Sequence, residues 1–456
     1  MLTDLRGLAL TANCVEAVAS YDATVRSFLA SRSETPQRLD ETLEVDPDML
    51  LAHCAKGFMC KLLARKELNR RAFQALTAAR RSLSLRGATP REGAYVDALN
   101  AWCNQDLEAA ARVFDNLLDE YPTDVFALRL SHAVHFLIGN RTALRYVAAR
   151  VLPAWDESMP EFAFVLGCYA FGLEECGDYA EAEEIGRQAV ALDPWDAWGI
   201  HAVAHVMEMG DRPKEGITWL AENQAHWSGC NNFIYHLFWH QALFHLELEE
   251  SDAALELYDC EIRAEKSDDF RDIANAASLL WRLEREGVEV GGRWGELADK
   301  ACSKIGDHEL AFANAHYLLS LLCAGRRAEA SAMLESMRTA ADGHGTEAFV
   351  LNTVGVPLAE ACMAKQAGDC ERAARLLLPL RPKLRSLGGS NAQRDMFEQF
   401  LVEAALDSGQ HELAHDLLME RLEKRPRNHW ANTRLLRTAQ RLLQLSPQGL
   451  SAAALG

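Results

Sequence analysis

The chain has no Cys-x-x-Cys pair, no long apolar run, few basic residues for its size and almost no strand-forming segments. Each absence excludes something. The 12 cysteines stand singly, the closest two being Cys54 and Cys60, which argues against a cysteine zinc site or a disulfide framework. The N-terminus, Met-Leu-Thr-Asp-Leu-Arg, lacks a basic leader and an apolar core. Together with the scattered thiols, this predicts a reduced, cytoplasmic protein. The longest uncharged apolar stretch, residues 162–173, is 12 residues, short of the roughly 18 that span a bilayer. Only 47 basic residues face 66 acidic ones, a net charge of −19 with no Lys/Arg run. That balance repels phosphate backbones and anionic lipid, so neither nucleic acid nor a membrane surface is expected as a partner. Val288-Glu289-Val290 is the best strand signal and is too short to matter.

What is present is helical periodicity, punctuated by only 13 prolines and 28 glycines in 456 residues. A chain this long forms either several domains or an elongated array. Internal repeats favour the array. Tyr179, Ala182, Ala189 and Pro194 carry the offsets of a tetratricopeptide-like helix pair. In such a pair, small residues let two helices approach and a proline ends the second. The offsets return at Leu107, Ala110, Leu117 and Pro122, and at His411, Ala414, Arg421 and Pro426, where Arg421 departs from the small-residue rule. Weaker copies surround Ala254, Ala330 and Ala373. The expected fold is all-α, a right-handed tetratricopeptide-like superhelix of helix pairs, curved enough to close around a central pocket. One continuous array over 1–456 is expected, with its best units at 163–196, 197–230 and 235–268.

Two segments of that array carry the chemistry. His201, His205 and Glu208 share one helix face at about 100° per residue, and His236 and His240 stand one turn apart. Registering the repeats puts these residues, and His316 in a later unit, at groove-facing positions, whereas His245 falls at a core position. Five tryptophans (Trp195, Trp198, Trp219, Trp227, Trp239) crowd the same stretch. They read mainly as core and partly as pocket wall.

The motifs His201-x-x-x-His205-x-x-Glu208, His236-x-x-Trp239-His240, Asp307-His308, Ala315-His316 and Gly388-Gly-Ser-Asn-Ala-Gln-Arg-Asp395 resemble the tetratricopeptide repeat protein 38 family over nearly the whole chain. His53 and His132 match family histidines; His135, His226 and His245 do not. The resemblance implies an α-helical repeat protein and supplies no reaction.

Three readings follow. In the first, His201, His205, Glu208, His236 and His240 bind a divalent transition metal such as zinc, iron, nickel or manganese. Asp307 then orients a ligand imidazole, Glu208 or a spare histidine accepts a proton, and hydrolase-like chemistry follows. Ala202 replaces the glutamate of a His-Glu-x-x-His protease motif, so that mechanism is not implied. In the second, a metal-free pocket of His201, His205, His236, His240 and His316 binds a small polar ligand. His308, Asn391, Arg394 and Asp395 contribute to it, Arg394 clamping an anion and the helix start at Ser390-Asn391 capping or receiving one. In the third, the array is a scaffold that binds a protein or peptide in its groove. Exposed array ends also leave room for a homo-oligomer.

Overall fold

The computed structural model describes residues 2–445; the ends of the expected 1–456 array lie outside that range. Helix follows helix from Val15 to Leu445, after a two-residue antiparallel hairpin that pairs Leu2–Thr3 with Ala9–Leu10. The chain is an all-α solenoid of helix pairs. The Val288-Glu289-Val290 segment is coil between the helices Phe270–Arg285 and Arg293–Ser303.

The three best-registered units each fall on a helix pair. They are Phe162–Cys176 with Tyr179–Leu192, Ala197–Met209 with Pro213–Glu222, and Phe233–Glu247 with Ser251–Leu257. The small residues used for registration, Ala110, Ala182, Ala254, Ala330, Ala373 and Ala414, are all 0% exposed. They sit where helices touch, and a larger side chain there would force the helices apart. Gly172 takes this furthest. A Cβ on it would lie 2.7 Å from the Arg145 backbone in the neighbouring helix Arg141–Val151.

The array curls until distant segments meet. Lys61 pairs with Glu309 at 2.7 Å and Lys304 with Glu67 at 3.0 Å. The Thr346 N–H donates to the Gln105 carbonyl at 2.9 Å. The Asn231 N–H donates to the Ser31 carbonyl at 2.8 Å, and Arg425 pairs with Asp211 at 2.9 Å. The curled array holds an open cavity of about 480 Å³, lined by residues as far apart as Phe28 and Gln393.

Gly172→Ala should lower stability by about 1–3 kcal/mol, because overpacking against a backbone outweighs the helix-propensity gain of about 1 kcal/mol. Urea unfolding of the two proteins measures the difference; an unchanged or higher midpoint contradicts the close approach.

Candidate functional site

Two neighbouring helices build the site. Ala197–Met209 starts after Asp196, whose Oδ1 accepts the Trp198 N–H at 3.2 Å. That cap sets the helix start, and one-turn spacing then stacks His201 over His205. Phe233–Glu247 stacks His236 over His240 in the same way. All four imidazoles are buried, His205 and His240 completely. Phe171 lies flat on His201 at 5.4 Å and Trp239 flat on His236 at 5.2 Å, which restrains both rings.

The four rings turn their Nε2 atoms towards one another. His205 Nε2 is 2.9 Å from His201 Nε2, which is 3.0 Å from His236 Nε2, which is 3.2 Å from His240 Nε2. One ligand nitrogen from each ring fits within 4.8 Å of all the others. Nitrogens bound at about 2.0–2.1 Å to a common ion stand roughly 2.9–3.4 Å apart in square or tetrahedral arrangements.

The outer ring nitrogens explain that orientation. His240 Nδ1 lies 2.7 Å from Glu208 Oε2, and His236 Nδ1 lies 3.1 Å from Asn275 Oδ1. His205 Nδ1 lies 3.4 Å from Glu174 Oε2. At His240 and His236 the acceptor on Nδ1 keeps the ring proton outside and leaves the Nε2 lone pair facing inwards. His201 Nδ1 and His205 Nδ1 have no hydrogen-bond partner. Burial, reinforced by the neighbouring imidazoles, pushes the pKa of His201, His236 and His240 well below the usual value; burial also lowers that of His205. The rings are therefore neutral near pH 7, and the Nε2 lone pairs of His236 and His240 face the other two rings. Burial pushes Glu174 up to about 8, helped by the charge of Glu208, and raises Glu208 and Glu175 as well. Both Glu174 oxygens lack hydrogen-bond partners. A cation at the histidines would draw these carboxylates back to the ionised state.

His201 and His236 also line the large cavity, beside Trp198, Phe233 and Phe312. An ion held by the four nitrogens would sit in the wall of a space big enough for a small molecule.

The remaining predicted residues scatter. Glu208 reaches the outer nitrogen of His240, so it supports a ring rather than joining the inner nitrogens. Asp307 accepts the Lys66 N–H at 3.2 Å and helps to close the array; it contacts no imidazole of the cluster. His308 lies between Asn314 at 3.1 Å and Ser336 at 2.7 Å. His316 packs against Phe312 and Phe397, with its Nδ1 2.8 Å from the Phe312 carbonyl. Ser390 caps Asn391–Asp407 in a reciprocal box with Gln393. The helix start does receive an anion, and it is an internal one. The Asn391 N–H donates to Glu175 Oε1 at 2.6 Å, and Arg394 binds Glu175 Oε2 at 3.0 Å. Asp395 pairs with Arg421. His245 is half-buried, 2.7 Å from Glu250 on the rim rather than in the core. Trp219, Trp227 and Trp239 are core, whereas Trp195 is 43% exposed.

Glu174 and Asn275 were not singled out from the sequence. The signal for Glu174 was visible, since Glu174-Glu175 directly follow the 12-residue apolar run. Two acids at the end of a buried helix demand partners. Asn275 lies in Asn-Ala-Ala-Ser on an unremarkable helix, and no spacing marks it.

No family model matches the chain. Among solved structures it is similar to yeast Tom70, at 13% identity and TM-score 0.36, over 95% of this chain and 90% of that one. It is also similar to Naa15/Naa10 bound to HypK-THB, at 10% identity and TM-score 0.25, over 93% of this chain and 66% of that one. Similarities this distant carry no argument about the site.

Two expectations follow. Arg394→Met leaves the Glu175 carboxylate buried without its cation, which should cost about 3–5 kcal/mol in urea unfolding; a loss under 1 kcal/mol would show that the clamp is dispensable. Burial lowers the pKa of His316 to about 4. A folded-state value below the unfolded 6.5 means its stabilising effect is complete above pH 6.5 and is lost as pH falls towards 4, about 3 kcal/mol in all. An NMR titration of His316 with a midpoint near 6.5 would contradict its burial.

Proposed function

We propose that this helical-repeat protein holds a divalent transition metal on His201, His205, His236 and His240, and that the ion serves a small molecule bound in the adjoining cavity. One observation carries the reading: four neutral imidazoles aim their Nε2 atoms at a common point while Glu208, Asn275 and Glu174 stand at the outer nitrogens of three of them. An all-nitrogen set of this kind suits zinc, iron or nickel rather than manganese. Such an ion supplies Lewis-acid chemistry, and hydrolase-like activity on a polar group is the reaction class that fits best. Glu208 orients His240, and Glu208 and Glu174 balance the charge of the ion.

The same reading favours a small ligand over a peptide at this place. The cavity is walled by helices from both halves of the array, and contacts such as Lys61 with Glu309 cross between them. The motifs around His201, His236 and Gly388 support assignment to the tetratricopeptide repeat protein 38 family. None of the 12 cysteines is paired, which supports a reducing, cytoplasmic setting. Among the described residues, no helix is long and apolar enough to cross a membrane.

The test is elemental analysis of untagged protein purified without chelator, beside a His201→Ala/His240→Ala variant. About one equivalent of a transition metal in the parent and little in a still-folded variant is expected. A parent that carries none, and takes up none from added zinc, iron, nickel or manganese, would falsify the metal assignment.

A further inference from the structure

The cavity beside the four histidines has a charge unlike the rest of the protein. The chain carries 66 acidic residues against 47 basic ones. Yet the cavity is lined by Arg32, Arg129 and Arg271 and by no aspartate or glutamate among the described residues. Chance placement on so acidic a chain would bring carboxylates into a lining of this size. With no carboxylate in the lining itself, an arginine there that lacks an acidic partner would attract an anion.

The three arginines are not equivalent. Arg271 is held by Asp269 through two contacts, at 2.8 and 2.6 Å. Arg32 lies over Trp195 at 5.1 Å and reaches Glu34 at 3.6 Å. Arg129 has no carboxylate within ion-pair distance among the described residues. Its guanidinium lies 4.0 Å over the Trp198 ring, and Trp198 in turn packs on His201 at 4.9 Å. Cys168 is in side-chain hydrogen-bond contact with it, and its charge also acts on Asp196, whose Oδ1 caps the Trp198 N–H while its buried Oδ2 has no hydrogen-bond partner. Stacking on the indole fixes the guanidinium plane, and of its five N–H groups those not directed at Cys168 are left for another acceptor. A pre-oriented planar fork of this kind matches one carboxylate.

The rest of the wall is apolar. Phe28, Met59, Leu62, Phe136, Phe233 and Phe312 are among the residues that line it. A free phosphate or a sugar phosphate would leave that surface facing polar groups, whereas a hydrocarbon chain would cover it. The volume of about 480 Å³ lies in the range that takes one small organic molecule.

We propose that the ligand of this cavity is an apolar monocarboxylate, such as a medium-chain or aryl-alkyl acid, with its carboxylate on Arg129 next to the four-histidine centre and its tail against the aromatic and aliphatic wall. The proposal rests on the reading of this cavity as the ligand site. It needs Arg129 and the wall, and it does not need the metal for affinity.

Calorimetric titration with octanoate, 1-octanol and inorganic phosphate tests it, on the full chain as purified and on the variants Arg129→Gln, Arg129→Lys and Ala133→Trp. Ala133 lines the cavity, and a tryptophan there fills it. Octanoate should bind at least tenfold more tightly than octanol or phosphate. Arg129→Gln should lose tenfold or more for octanoate and nothing for octanol, Arg129→Lys should lose less, and Ala133→Trp should lose both. Equal binding of acid and alcohol, tighter binding of phosphate, no octanoate binding, or an indifferent Arg129→Gln each overturns the proposal. If Arg129→Gln does not fold, the Lys and Trp variants decide it. Metal content measured on the same samples separates the two readings. A parent that retains metal but ignores octanoate defeats this proposal alone. Octanoate binding by a parent that carries no metal and takes none up defeats the metal reading alone.

Discussion

Four buried imidazole nitrogens brought to about 3 Å of one another must either share ring protons or hold something positive between them. Much of the middle of this protein is arranged around that constraint. The helices that carry the histidines are largely buried, and only His201 and His236 border the cavity. Phe171 and Trp239 cover two ring faces, and Glu208, Asn275 and Glu174 stand at three of the outer nitrogens. Partners placed this way specify a tautomer as well as a position.

The surrounding charges form concentric layers. Glu174 and Glu208 stand next to the imidazoles; Glu175, one residue on, faces Arg394 and the start of Asn391–Asp407. Arg425 pairs with Asp211 and donates to the Glu208 carbonyl at 2.7 Å. Buried pairs of this kind add little net stability over well-packed apolar contacts, but breaking one is costly. Here they join segments more than 200 residues apart, so they fix how the array curls and hence what the cavity faces.

Much of this was legible beforehand, and the reason is periodicity. The small residues at Ala110, Ala182, Ala254, Ala330, Ala373 and Ala414 mark helix contacts because tight packing admits nothing larger. His201 with His205, and His236 with His240, share a face because one helical turn is about four residues. The loop at Gly388–Asp395 was equally conspicuous, but the anion that its helix start receives is the chain's own Glu175. Local chemistry can announce an anion site without saying whether the anion is a ligand or a neighbour. His316 and His308 occupied plausible registers and are tied instead to a backbone carbonyl and to Asn314 and Ser336.

The sequence by itself determined the all-α helix pairs, the burial of the small residues, and the two pairs of histidines on helical faces. These depend on interactions between residues a few positions apart, which spacing reveals. Only the tertiary structure decided that the two pairs meet nitrogen to nitrogen and that Glu174 and Asn275 stand behind them. The same holds for Asp307, which serves the closure of the array, and for Arg129, which stands over Trp198 in a cavity free of acids. Those facts depend on how far a solenoid curves. Curvature accumulates from small rotations at every helix contact, and no single stretch of sequence encodes it.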